Sequence, residues 1–190
     1  MKLSSKFEEA LVYATQAHCD QMRKQTGIPY IAHILGVTAL ALEYGATETE
    51  AIGALLHDAV EDCGGAERLR DIKARFGAEV VKIVEGCTDT DETPKPPWLE
   101  RKKKYLAHLP KTDASTRLVS ASDKLHNVRA IVADVRRVGA KVFERFKGKK
   151  DGTLWYYRSL VTVFREFHDH RDLIDELDRV VTEMEKLAGA

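Results

Sequence analysis

The chain has 190 residues, 44% of them hydrophobic and 32% charged, and its 30 basic and 30 acidic side chains cancel. This is the composition of a globular domain with a real core, and the cancelled charge excludes a broad electrostatic grip on nucleic acid. No apolar run approaches the roughly 18 residues that span a bilayer, and residues 1–5 lack a signal-peptide core, so neither nucleic acid nor membrane is an expected partner. Ser5 and Glu8 have capping-box spacing. Phe7, Ala10, Leu11, Ala14 and Ala17 then repeat at helical spacing, which predicts a first helix to about Gln21. The stretch Gln25-Thr26-Gly27-Ile28-Pro29 breaks it. A second helix is expected over 30–44, with Ile34, Leu35, Val37 and Leu40 inward and Gly45 as its stop. A second capping box, Thr47 to Glu50, launches a helix that reaches Asp62, where Gly64 and Gly65 turn the chain.

Further helices are expected over 66–76 and 78–87, separated by Gly77. Pro94, Pro96 and Pro97 exclude regular helix from 89–98, the longest loop. A basic helix over 99–108 follows, then one capped by Asp113 or Ser115 that runs to about Val138. Gly139 and 147–152 read as breaks, and helices over 155–167 and 171–187 complete the set. No alternating strand pattern is present. The expected fold is one all-α domain over residues 1–190, a bundle of about eight to ten helices.

The most informative stretch is Ala54-Leu55-Leu56-His57-Asp58-Ala59-Val60-Glu61-Asp62. Burying four such polar groups in an apolar ramp is costly unless a cation or substrate satisfies them. On one helix His57 and Asp58 approach a point from adjacent positions, and Glu61 and Asp62 fall one turn beyond them. The first pair suits a divalent cation that takes mixed nitrogen and oxygen ligands, and the second suits acid–base work beside it. A water-activating metal needs ligands from elsewhere. Asp123 lies in an apolar helical run, as a ligand or as an ion-pair partner of Lys124 or Arg129, and Asn127 follows one turn on. His33, read alone, is either a satisfied core histidine or a ligand. The basic runs at 101–104 and 147–150 read as solvated faces, and Trp155, Tyr156 and Tyr157 as core. Cys19, Cys63 and Cys87 form no CxxC pair, which fits a reducing, cytoplasmic setting, and Cys63 reads as a reduced spectator beside the acid pair.

His33, then His57-Asp58, then Asp123 resembles the spaced pattern of the HD phosphohydrolase superfamily. The closer resemblance is to the hydrolase domain of the RelA/SpoT family and its stand-alone small alarmone hydrolases, the metazoan SpoT homologue among them. It is carried by Arg23-Lys24, Pro29 to His33, Ala54 to Asp62, Phe76-Gly77, Thr88-Asp89, Glu100-Arg101-Lys102 and Ala121 to Arg129, and it covers roughly residues 7–132. The resemblance implies an HD-domain helical bundle that removes the 3′-pyrophosphate from guanosine tetra- and pentaphosphate, releasing pyrophosphate with GDP or GTP. It implies one divalent metal, typically Mn²⁺, on His33, His57, Asp58 and Asp123; His and carboxylate ligands serve Fe²⁺ or Zn²⁺ as well. By the same resemblance Glu61 and Asp62 position and deprotonate water, and Arg23, Lys24 and Asn127 contact substrate. No synthetase sequence is present, so hydrolysis alone is expected. Three departures stand near the pocket: Ala130 where the family often has Thr, Gln25 where bifunctional bacterial members often have Ser, and the Pro94–Trp98 segment. They leave two alternatives open. One is an HD phosphohydrolase acting on another nucleotide, such as (p)ppApp or NADPH. The other is a non-catalytic nucleotide-binding regulatory module, against which the intact acid pair argues.

Overall fold

In the computed structural model, which describes residues 2–24, 26–90, 92 and 94–189, each long apolar-periodic stretch is helical, and no strand forms among the described residues. Helix α1 (Ser5–Ala17) is capped by Ser4 rather than Ser5, with the Ser4 hydroxyl accepting the Lys6 N–H at 3.2 Å. It stops short of the expected Gln21 because the following chain folds back on itself. The Arg23 N–H donates to the Ile28 carbonyl and the Tyr30 N–H to the Gln21 carbonyl, both at 2.8 Å. Gln25 lies outside the described residues. Helix α2 (Ile31–Glu43) buries His33, Ile34, Val37 and Leu40 and ends at Gly45, whose φ of +88° suits glycine. Leu35, expected inward, falls off that stripe and is 46% exposed.

The Thr47 capping box forms, with the Thr47 N–H donating to Glu50 Oε2 at 2.7 Å, and starts α3 (Glu48–Leu56). The continuous helix expected to Asp62 is interrupted at His57 and Asp58, after which α4 (Ala59–Asp62) forms a single turn. The interruption has one local cause and one distant one. His57 Nδ1 reaches back to the Ala54 carbonyl at 2.8 Å, and Asp58 sits at φ −101°, ψ −4° with its carboxylate held by Tyr30. Helices α5 (Gly65–Phe76), α6 (Ala78–Cys87) and α7 (Trp98–His108) follow close to their expected bounds.

Helix α8 (Ala114–Val138) starts at the Asp113 cap and, at 25 residues, makes a spine about 37 Å long. A 3₁₀ segment (Gly139–Arg145) leads to α9 (Lys149–Phe164) and α10 (Arg171–Ala188). The expected break at 147–152 is confined to the turn that ends at Gly148, and α9 starts at Lys149. Gly148 and Gly152 serve close packing there: a Cβ would lie 2.6 Å from the Trp98 ring at position 148 and 3.1 Å from it at 152. The indole of Trp98 thus lies on two glycines one turn apart and ties the end of the proline-rich loop to α9.

Two apolar layers result. Ala10, Ile34, Leu55, Ile72 and Phe76 fill one. Leu118, Leu125, Phe143, Leu160 and Leu173 fill the other, where α9 and α10 pack along α8. A fully buried Leu such as Leu125 contributes about 1.5–3 kcal/mol relative to exposure. Helices α2 and α3 touch both layers, so the seam between them is where polar groups can be held rigidly. No helix among the described residues is long and apolar enough to cross a membrane.

Candidate functional site

The seam collects the sequence-predicted ligands from three elements. His33 stands on the first turn of α2, His57 and Asp58 at the α3–α4 interruption, and Asp123 in the middle of α8. Ligand atoms of His33, His57 and Asp58 all lie within 4.8 Å of one another. His57 Nε2 is 3.0 Å from Asp58 Oδ2, and His33 Nε2 is 3.5 Å from it. Asp123 Oδ1 lies 3.2 Å from His33 Nε2 and 3.9 Å from His57 Nε2. Both imidazoles and Asp123 are buried.

The chemistry of the four donors calls for a cation. His57 Nδ1 can only donate to the Ala54 carbonyl, which directs the other ring nitrogen at the carboxylates. That buried Nε2 lies 3.0 Å from Asp58 Oδ2 but outside hydrogen-bond geometry, and it has no other partner among the described residues. Burial disfavours a charged His57, yet Asp58 and Asp123 overcome it and raise its pKa to about 9. Burial likewise opposes ionisation of Asp58, but His57 and His33 hold it well below the usual carboxylate range. Asp123 is held low against burial chiefly by Lys124, whose Nζ lies 2.5 Å from Asp123 Oδ2, and then by the two imidazoles. Two ionised carboxylates thus face two imidazole nitrogens in a dry site, where a divalent metal satisfies all four. The ion pair considered for Asp123 exists, and it uses the oxygen that the imidazoles leave free. Arg129 instead pairs with Glu176 at 2.7 Å.

Two residues that contact the cluster, Tyr30 and His126, carried no assigned role in the sequence. The Tyr30 hydroxyl donates to Asp58 Oδ2 at 2.5 Å, and burial with that carboxylate raises its pKa. His126 Nδ1 lies 2.9 Å from His33 Nδ1, and burial, with His33 and Arg23 nearby, lowers its pKa to about 4. Its ring occupies space left open by Gly36, where a Cβ would come 2.2 Å from His126 Nε2. The signal for it was a glycine inside a helix, which is costly unless something packs there.

Glu61 and Asp62 lie on α4 beside the cluster, each with its own support. Glu61 Oε2 accepts the Asp89 N–H at 3.2 Å, and Glu61 Oε1 accepts from Lys95 at 2.8 Å. Asp62 Oδ2 accepts from the Gln21 amide at 2.9 Å. His18 Nδ1 lies 2.6 Å from Gln21 Oε1, which orients that amide toward Asp62. Asp89 is itself clamped by Arg101 and Lys102. The 101–104 run is therefore only half a solvated face: Arg101 is buried, and burial with Lys124 and Arg101 lowers the pKa of Lys102 to about 7.

The predicted substrate residues connect to the ligands in a chain. Arg23 Nη2 donates to Asn127 Oδ1 at 2.9 Å, and Asn127 Nδ2 donates to Asp123 Oδ1 at 2.5 Å. From there a cleft of about 380 Å³ opens, and Lys24, Ile28, Phe146 and Tyr157 line it. Tyr156 and Tyr157 are buried as expected, while Trp155 is 37% exposed. Tyr157 is the member of that trio that reaches the cleft.

Comparison with known proteins places this geometry among relatives. A family model described as HD domain matches residues 10–154. The human guanosine-3′,5′-bis(diphosphate) 3′-pyrophosphohydrolase MESH1 is 40% identical over 124 residues, which are 64% of this chain and 66% of that protein. The match thus spans just under two thirds of the human relative. The Drosophila melanogaster protein of the same name is 35% identical over 129 residues, 66% of this chain and 69% of that one. A solved structure of a metazoan ortholog of SpoT that hydrolyses ppGpp superposes with a TM-score of 0.78 at 27% identity, covering 96% of this chain and 97% of its own.

Proposed function

The chain belongs to the HD domain family, and on that premise we propose that it is a metal-dependent 3′-pyrophosphohydrolase of guanosine alarmones. The observation that carries this reading is the convergence of His33, His57, Asp58 and Asp123, with Glu61 and Asp62 alongside and a cationic cleft beyond. The four would hold one divalent metal; the resemblance to the RelA/SpoT hydrolases favours Mn²⁺, and the same imidazole and carboxylate ligands serve Fe²⁺ or Zn²⁺. Such an ion lowers the pKa of water so that hydroxide is available near neutral pH.

The chain's own residues do the rest. Glu61 and Asp62, fixed by Asp89, Lys95 and Gln21, orient the attacking water and take its proton. Arg23 and Lys24 oppose the phosphate charges, Arg23 by its fork and Lys24 as a point charge. Attack at the phosphorus on the ribose 3′-oxygen breaks that P–O bond. Pyrophosphate leaves carrying the water oxygen, and the 3′-oxygen takes a proton to give GDP or GTP. The cleft of Ile28, Phe146 and Tyr157 takes the nucleoside. Residues 1–190 act as one domain in this reading, since α9 and α10 pack on the same α8 that carries Asp123. Three free cysteines support a reducing, cytoplasmic setting.

A nucleotide panel with product identification tests the proposal. Mn²⁺-loaded protein is expected to release pyrophosphate, not phosphate, from ppGpp and pppGpp, and Asp58→Ala to abolish release. No release from any alarmone by metal-loaded wild type would overturn it.

A further inference from the structure

We propose that Asp134, clamped between Arg137 and Arg145, reads the base of the nucleotide and selects guanine over adenine. The inference rests on the reading that the cleft takes the nucleoside of an alarmone. Asp134 lies on α8 seven residues beyond Asn127, two turns along the same face and about 10 Å further down the axis. Asn127 touches the ligand Asp123, and Asp134 and Arg145 line the far end of the same cleft. A nucleotide whose 3′-phosphate sits at the ligands therefore lays its base toward Asp134. Between the two ends Ala130 and Ala133 leave the helix surface low, and Phe146 and Tyr157 supply aromatic edges for a purine.

The carboxylate is held in a definite pose. Asp134 Oδ1 accepts from Arg137 at 2.7 Å and Oδ2 from Arg145 at 3.0 Å. Arg137 comes from one turn further on α8 and Arg145 from the 3₁₀ segment after it, so the two grips converge from different elements. An ionised carboxylate has about four acceptor positions, and the two guanidinium contacts leave room for two more. Guanine offers two adjacent donors, N1–H and the 2-amino group, which match a carboxylate. Adenine offers one amino donor, and its unprotonated N1 turns a lone pair toward the same oxygens. A bidentate contact of this kind discriminates by about ten- to hundredfold.

Calorimetric binding of GDP and ADP tests this directly, because the two probes differ only in the base. Wild type is expected to bind GDP at least about tenfold tighter than ADP. Asp134→Asn and Asp134→Ala are expected to bring GDP to within about threefold of ADP, with a cooperative thermal melt showing that both variants fold. A wild type with no base preference, no measurable GDP binding, or a preference that survives both variants overturns the inference. The two readings fail separately. A GDP preference with no pyrophosphate release from ppGpp would refute the hydrolase proposal and leave this one standing, whereas turnover without base preference would do the reverse.

Discussion

Gly36 and His126 form a pair whose coupling can be calculated in sign before it is measured. A Cβ at position 36 would lie 2.2 Å from His126 Nε2 and 2.3 Å from its Cδ2, inside any allowed contact. Gly36→Ala must therefore push the imidazole away from His33, and overpacking of this kind costs about 1–3 kcal/mol. Against that, replacing glycine with alanine inside α2 contributes about 1 kcal/mol of helix propensity. In wild type the clash wins or nearly cancels the gain, so the variant is at best neutral and at worst destabilised by about 2 kcal/mol. In a His126→Ala background the ring is gone, and the same substitution should stabilise by up to about 1 kcal/mol. The sign reverses, which requires a coupling energy within the 0.5–3 kcal/mol range of directly touching residues. Urea unfolding of the four proteins of the cycle measures it. Metal titration of the same four reads the function. Gly36→Ala and His126→Ala should each weaken metal binding by about 10–100-fold through loss of the contact to His33 Nδ1, and the double variant should bind no worse than either. Additive stabilities, or metal affinity unaffected by His126→Ala, would refute the reasoning.

Glu61→Gln keeps the size of the side chain and removes its basicity, so kcat should fall by about 10²–10⁴-fold with KM little changed, in steady-state pyrophosphate release. Gly148→Ala drives a Cβ to 2.6 Å from the Trp98 ring and should lower stability by about 1–3 kcal/mol in thermal or urea melts. Asp113→Ala removes the α8 cap, which accepts the Thr116 N–H at 2.8 Å, and should cost about 1 kcal/mol at neutral pH. Burial opposes ionisation of Asp113, but Lys82 and Thr116 outweigh it and hold its pKa at about 2, below the ordinary 3.8. A lowered folded pKa gives stability that is fully present above pH 4 and lost as pH falls toward 2. The difference between wild type and Asp113→Ala should shrink over that window in pH-dependent unfolding.

The helices were legible because apolar spacing, capping boxes and proline-rich breaks are local signals. Thr47 with Glu50 and Gly45 as the α2 stop both appear where those signals put them. What the sequence hid was decided by partners distant in the chain. Gly148 and Gly152 look like helix breakers until Trp98 is seen lying on them. The 101–104 run looks solvated until Asp89 takes Arg101 and Lys102. The helix through Asp62 looks continuous until Asp58 meets Tyr30 from the start of α2. That interruption falls at the two residues themselves: His57 keeps helical dihedrals, and Asp58 departs from them where its carboxylate meets Tyr30. The four proposed ligands were visible as residue types at telling spacings. Their support from Tyr30, His126, Gln21 and Lys95 was not, since each hydrogen bond joins elements that only the fold brings together.

The most direct test of the hydrolase account is turnover of ppGpp by Mn²⁺-loaded protein in ¹⁸O-labelled water, with both products analysed by mass spectrometry. Equimolar GDP and pyrophosphate are expected, with one labelled oxygen in each pyrophosphate and none in GDP. No turnover, release of single phosphate, or label appearing in GDP would contradict it.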